Sequence, residues 1–223
     1  MPDAGLADPT GVVAVGGDLD VTTLVDAYRR GIFPWPHSGM ALPWFSPEPR
    51  SVLWPDAVRL SKSLRQTMRR SGWVTTVDRA FDEVMAACAD RPWREGTWIN
   101  RSMRRSYGAL HRLGWAHSLE VWDVERRLVG GLYGVRVGAC FTGESMFHRA
   151  TDASKVALVD LCRRWVEAGG VLIDVQLPTE HLTSMGAVEL ERATFLARLA
   201  EAKDQVVCVE TGELSVSRLV PVR

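Results

Sequence analysis

Between residues 116 and 177 the hydrophobic period runs from two to about 3.6 and back to two, and this pattern limits the fold more than any other feature. HSLEVWDV, RLVGGLYGVRV and GACFTGESMF read as three strands of an antiparallel meander joined by tight turns. A helix then opens at Asp152 or Ser154, runs to about residue 168 and is closed by Gly169 and Gly170. Its apolar residues (Val156, Leu158, Val159, Leu161, Cys162, Trp165, Val166) cover more than one stripe, so it is largely buried. VLIDVQLP follows at once. Strand, helix, strand implies a right-handed crossover that lays the last strand parallel to the third. The class is α/β (α+β), with a mixed sheet.

That last strand carries two polar residues. Alternation puts Leu172, Asp174 and Gln176 on one face and Val171, Ile173, Val175 and Leu177 on the other. A buried carboxylate costs several kcal/mol unless paired or hydrogen-bonded, so Asp174 and Gln176 are either a satisfied core network or part of a site. Glu144, on the neighbouring strand, falls by the same alternation on one face with Thr142 and Met146. A carboxylate and an amide beside a helix N-terminus suit acyl transfer to an amine, which needs a proton acceptor and an orienting group.

Ahead of this core, Asp18 or Asp20 caps a helix over roughly 21–30 that ends at Gly31. The following stretch, GIFPWPHSGMALPWFSPEP, is proline-rich yet holds Phe33, Trp35, Trp44 and Phe45, which reads as a folded aromatic loop rather than a tether. Residues 1–50 are expected to form a small N-terminal domain and 51–223 the main one. Helices are expected near 60–70, 79–88, 100–113 and 191–202, and a final strand at QVVCVE.

Net charge is zero over 223 residues, with 46% hydrophobic and 24% charged, as in an ordinary globular protein. Yet residues 57–77 and 96–119 are basic and contain no acidic residue, which favours a polyanionic partner. The spacing offers no GxxxxGK[ST], no GxGxxG and no HExxH, and Phe147 stands where a nucleophile elbow needs its second glycine. The sequence therefore points to no catalytic metal and no cofactor. HRATDASK lacks the glycine-rich turn that acetyltransferases use for coenzyme A, so an acyl donor of another kind is expected. Four well-separated cysteines without a secretory leader suggest reduced thiols in a cytoplasm, and the longest uncharged stretch, 31–47, is broken by four prolines, so no membrane segment is expected.

GGDLDVTTLVDAYRRGIFPW, SPEPRSVLWP, EGTWIN, AHSLEVW, LVGGLYGV, GESMFHRATDASKVAL, and LIDVQL with HLTSMGA, in this order, resemble the signature blocks of the bacterial leucyl/phenylalanyl-tRNA–protein transferase family. The resemblance implies an N-acetyltransferase-like (GNAT-like) domain behind a small N-terminal one. It also implies transfer of Leu or Phe from aminoacyl-tRNA to proteins beginning with Lys or Arg, a mark for N-end rule degradation. It makes Asp174 and Gln176 the catalytic pair and sets Glu144 at the donor's amino group. Tyr28, Trp35 and Trp98 become the site for the 3′-terminal adenosine, and Lys62, Arg65, Arg69 and Arg70 the cluster for the tRNA acceptor stem. The implied aminoacyl pocket is Tyr107, Leu132, Phe141, Met146, Leu158, Leu161, Trp165 and Ile173.

The chain departs from the family pattern at Trp44-Phe45, at Trp165, where a smaller aromatic would leave a deeper pocket, and at Thr179, where asparagine is common. With no credible nucleophile, direct aminolysis is the expected chemistry, with Gln176 orienting rather than acting as a base.

Overall fold

The structure, a computed structural model, describes residues 1–37, 39–90 and 99–220. Two sheets organise it. A small one joins β1 (Val12–Val15), β3 (Pro43–Phe45) and β2 (Phe33–Pro34). A large one joins eight strands, in chain order β4 (Arg50–Leu53), β5 (Val74–Val77), β6 (Ala116–Trp122), β7 (Leu128–Val137), β8 (Cys140–His148), β9 (Leu172–Gln176), β10 (Val188–Leu190) and β11 (Leu214–Ser215). Their spatial order is β10-β4-β9-β8-β7-β6-β5-β11, antiparallel except for the parallel pair β8 and β9. The meander and crossover expected for 116–177 are therefore present.

Helices α1 (Val21–Arg29), α2 (Lys62–Arg70), α3 (Phe81–Ala89), α4 (Arg101–Arg112), α5 (Ala153–Glu167), α6 (Glu180–Ser184) and α7 (Arg192–Ala202) complete the fold. Asp20 caps α1 by accepting from the Thr23 N–H, and Gly31 ends it at φ +74°, where the left-handed turn favours glycine. A Cβ there would also approach a Leu196 methyl carbon to 2.6 Å. The α5 crossover buries Val156, Leu158, Leu161 and Trp165 against the sheet. Among the described residues, no helix is long and apolar enough to cross a membrane.

The aromatic loop is folded. Phe33 stacks on Phe45 at 6.2 Å, Trp35 meets Phe45 edge-on, and the Trp44 indole donates to the Gly16 carbonyl. The small sheet, α6 and β10 are not among the expected elements, and three further features differ from the expectations. RSVL and VTTV are strands of the main sheet, too short for a period to declare itself. QVVCVE forms no strand: Arg136 donates to the Val207 carbonyl and Arg164 to the Glu210 carbonyl, so side chains hold this segment and β11 takes the sheet edge. Thr142 and Met146 do not share a face with one another. The β7–β8 ladder pairs Gly134 with Gly143 but Tyr133 with Ser145, which leaves Glu144 as an extra residue in a β-bulge and reverses the alternation beyond it.

Candidate active site

The parallel ladder of β8 and β9 ends at Thr142 and Asp174. Just past it, both strands bulge. Ser51 of β4 pairs with Gln176 and Val52 with Asp174, so Val175 is extra on β9 as Glu144 is on β8. Bulges re-aim side chains and cluster beside active sites. These two turn Glu144 and Gln176 toward each other, and the Gln176 amide donates to Glu144 Oε1 at 2.9 Å across the opening.

Glu144 is otherwise held from behind. The Tyr28 hydroxyl donates to its Oε1 at 2.7 Å and the Tyr107 hydroxyl to its Oε2 at 3.0 Å, and the two hydroxyls touch each other. Burial pushes the Glu144 carboxyl up to about 7, and the charge of Asp174 adds to the rise, while the bonds from Tyr28, Tyr107 and Gln176 oppose it. Desolvation also drives both tyrosines well above their ordinary value, so they stay protonated donors. Cys140, on β8, is pushed up by burial and is held as a thiol rather than a nucleophilic thiolate.

Asp174 lies one layer deeper. Arg50 grips it with both arms of its guanidinium, Nε to Oδ1 at 2.8 Å and Nη2 to Oδ2 at 2.7 Å, both side chains being 1% exposed. The Thr142 hydroxyl and the Gln176 backbone N–H complete its shell. The last of these is an Asx turn. Gln176 sits at φ +66° between Val175, whose carbonyl accepts, and Leu177, whose N–H donates at 2.8 Å, which is a γ-turn of the rarer hand. Such a backbone at a non-glycine residue costs about 1–3 kcal/mol and persists only where its surroundings impose it.

Two cavities meet at the Glu144–Gln176 bridge. One, of about 240 Å³, is apolar and is lined by Leu132, Phe141, Met146, Leu158, Leu161 and Ile173, with Thr179 and His181 also in its wall. The other is a smaller cleft of about 90 Å³ walled by Phe33, Pro34 and Trp35. Of the residues expected in the aminoacyl pocket, six line the larger cavity. Tyr107 instead lies behind Glu144. Trp165 packs edge-on against Phe141 at 5.7 Å, donates to the Ala139 carbonyl and lines an adjoining cavity that shares Leu132, Phe141 and Leu161 with the first. Of the expected adenosine residues, Trp35 opens on the small cleft, whereas Tyr28 is 2% exposed and offers its hydroxyl rather than its ring face. Trp98 lies outside the described residues.

Lys62, Arg65, Arg69 and Arg70 share one face of α2 with Gln66, at spacings of three and four residues, while Leu64 and Met68 are buried on the other. Thr179 caps α6 through its hydroxyl, so that departure from the family pattern keeps a hydrogen-bonding role. Sequence reasoning missed Arg50. The available signal was an arginine opening an apolar strand, RSVL, in a chain with an aspartate in another such strand. Among the described residues, no group of three or more His, Cys, Asp or Glu side chains is placed to hold a metal ion.

A mixed sheet whose two bulged parallel strands aim a carboxyl and an amide at an apolar pocket has the geometry of a group-transfer site. Comparison with known proteins makes the class specific. The family description "Leucyl/phenylalanyl-tRNA protein transferase" matches residues 52–200, and that of the same family's N-terminal domain matches residues 17–48. A leucyl/phenylalanyl-tRNA–protein transferase of Pseudomonas fluorescens (strain Pf0-1) is 49% identical over 204 residues, covering 91% of this chain and 90% of its own. One from Anaeromyxobacter dehalogenans (strain 2CP-C) is 51% identical over 208 residues, covering 92% and 88%. The chain belongs to the leucyl/phenylalanyl-tRNA–protein transferase family and is an enzyme of that family. Among solved structures, L-PGS from Bacillus licheniformis is distantly similar, at 11% identity and a TM-score of 0.41, covering 69% of this chain and 51% of that one.

Proposed function

We propose that this enzyme moves leucine or phenylalanine from aminoacyl-tRNA to the α-amino group of proteins whose first residue is Lys or Arg, marking them for N-end rule degradation in the cytoplasm, without a cofactor. The observation that carries the reading is the bridge between Glu144 and Gln176, which stands between the apolar pocket and the Trp35 cleft. A γ-branched or unbranched apolar side chain fills the pocket, where one misfit methyl discriminates by about 1–3 kcal/mol. The adenosine that carries the ester lies against Trp35, and stacking a base on such a ring contributes roughly 1–3 kcal/mol. Glu144 holds the donor's amino group, and the basic face of α2 takes acceptor-stem phosphates.

The chemistry is direct aminolysis. The acceptor amine attacks the ester carbonyl, the new C–N bond forms as the ester C–O bond breaks, and the proton lost by the amine goes to the departing ribose oxygen. Gln176 orients the carbonyl and no covalent enzyme intermediate forms. The meander, the α5 crossover and the parallel β8–β9 pair support an N-acetyltransferase-like reading of residues 51–223, with residues 1–50 as a separate small domain. The test is transfer of radiolabelled leucine from Leu-tRNA to peptides beginning with Arg or Ala. Label is expected in the Arg peptide alone. Label in neither, from a folded protein that binds tRNA, would overturn the reading, as would a trapped aminoacyl-enzyme.

A further inference from the structure

We infer that Arg50 is a positioning residue of the transfer site and that Asp174 is its clamp on Gln176 rather than a proton acceptor. A carboxylate offers about four lone-pair sites. All four of Asp174's are taken, by Arg50 Nε, Arg50 Nη2, Thr142 Oγ1 and the Gln176 N–H, which leaves none for an attacking amine.

Arg50 is itself fixed in every direction. Its remaining Nη1 donates to the Gly31 carbonyl at 3.2 Å, and the rings of Phe33 and Phe195 lie 4.8 and 4.5 Å from its Cζ. One side chain thus ties the aromatic loop, α7 and β9 to a single point, from which the Asx turn sets the left-handed backbone of Gln176. That backbone in turn aims the amide at Glu144. Gln176 keeps its unfavourable φ because Arg50 holds Asp174 in place. Lysine cannot replace it, since a point charge lacks the planar fork that engages both carboxylate oxygens and rests between two rings.

The kinetic arm of the test rests on the proposed transfer; the spectroscopic arm does not. The chain has three glutamines, Gln66, Gln176 and Gln205, so [15N]glutamine labelling yields three sets of resonances, two of which report on regions remote from the clamp. In Arg50→Lys the Gln66 and Gln205 signals are expected to stay in place. The Gln176 backbone and side-chain signals should move, with faster exchange of its backbone amide into D2O, and kcat for leucine transfer should fall at least tenfold while KM for Leu-tRNA stays within twofold. Unmoved Gln176 signals, or a loss confined to KM, would overturn the inference. If Arg50→Lys does not fold, Asp174→Asn takes its place. There too the Gln176 signals should move, and the residual transfer should keep the wild-type pH profile, whereas loss of an ionisation from that profile would identify Asp174 as the proton acceptor. If the wild type transfers no leucine, the proposed function fails and the resonances still decide the role of Arg50.

Discussion

Replacing Glu144 by glutamine should make stability less dependent on pH. Unfolded, a glutamate titrates near 4.5, whereas in the folded chain burial holds Glu144 up at about 7. Because the folded value is the higher one, the folded state binds more protons than the unfolded state between the two, and stability falls as pH rises through that window. The contribution is fully present below about 4.5 and lost by the time pH has passed about 7. At about 1.4 kcal/mol per unit, the loss is roughly 3 kcal/mol. Glutamine has nothing to titrate and fits the same contacts: its carbonyl can accept from Tyr28 and Gln176 while its amide donates to the Tyr107 hydroxyl, the groups that surround Glu144. Urea unfolding of both proteins at intervals from pH 4.5 to 8 should therefore show Glu144→Gln gaining on the wild type by roughly 3 kcal/mol across the range, with equal denaturant slopes. Two curves parallel to within about 0.5 kcal/mol would show that burial does not raise Glu144 and that the site lacks its electrostatic basis.

Three further outcomes can be checked independently. Filling the pocket with Leu158→Trp should abolish leucine transfer while leaving tRNA affinity within twofold, measured by filter binding. Lys62→Ala and Arg70→Ala, both on the exposed face of α2, should each weaken tRNA binding and lower the slope of log affinity against log salt by about one. Arg164→Met should destabilise by about 3 kcal/mol in urea melts, because it leaves buried Asp160 with Arg218 as its remaining cationic partner and frees the carbonyls of Glu210 and Gly212.

Local information was legible wherever one residue's neighbours in sequence decide its fate. Helix boundaries came within two residues of those observed because Asp20, Ser61 and Asn100 cap their own helices and the apolar period is unbroken over each. The order of meander, crossover and parallel strand followed from chain handedness. The short strands β4 and β5 escaped because four residues show no period, and QVVCVE misled because its carbonyls are satisfied by Arg136 and Arg164 rather than by a ladder.

What sequence alone determined is the family, the main succession of elements and six apolar residues that line the pocket, since these depend on identity and local spacing. Tertiary structure alone decided how those residues act. Two bulges one strand apart shifted the alternation that sequence reading assumed, bringing Glu144 to Gln176 and sending Met146 to the pocket side. Arg50 and Asp174 are 124 positions apart, and only the pairing of β4 with β9 brings their charges together. A bulge is one extra residue set against a partner strand, and an ion pair needs both partners. Neither is visible until distant segments of chain are laid side by side.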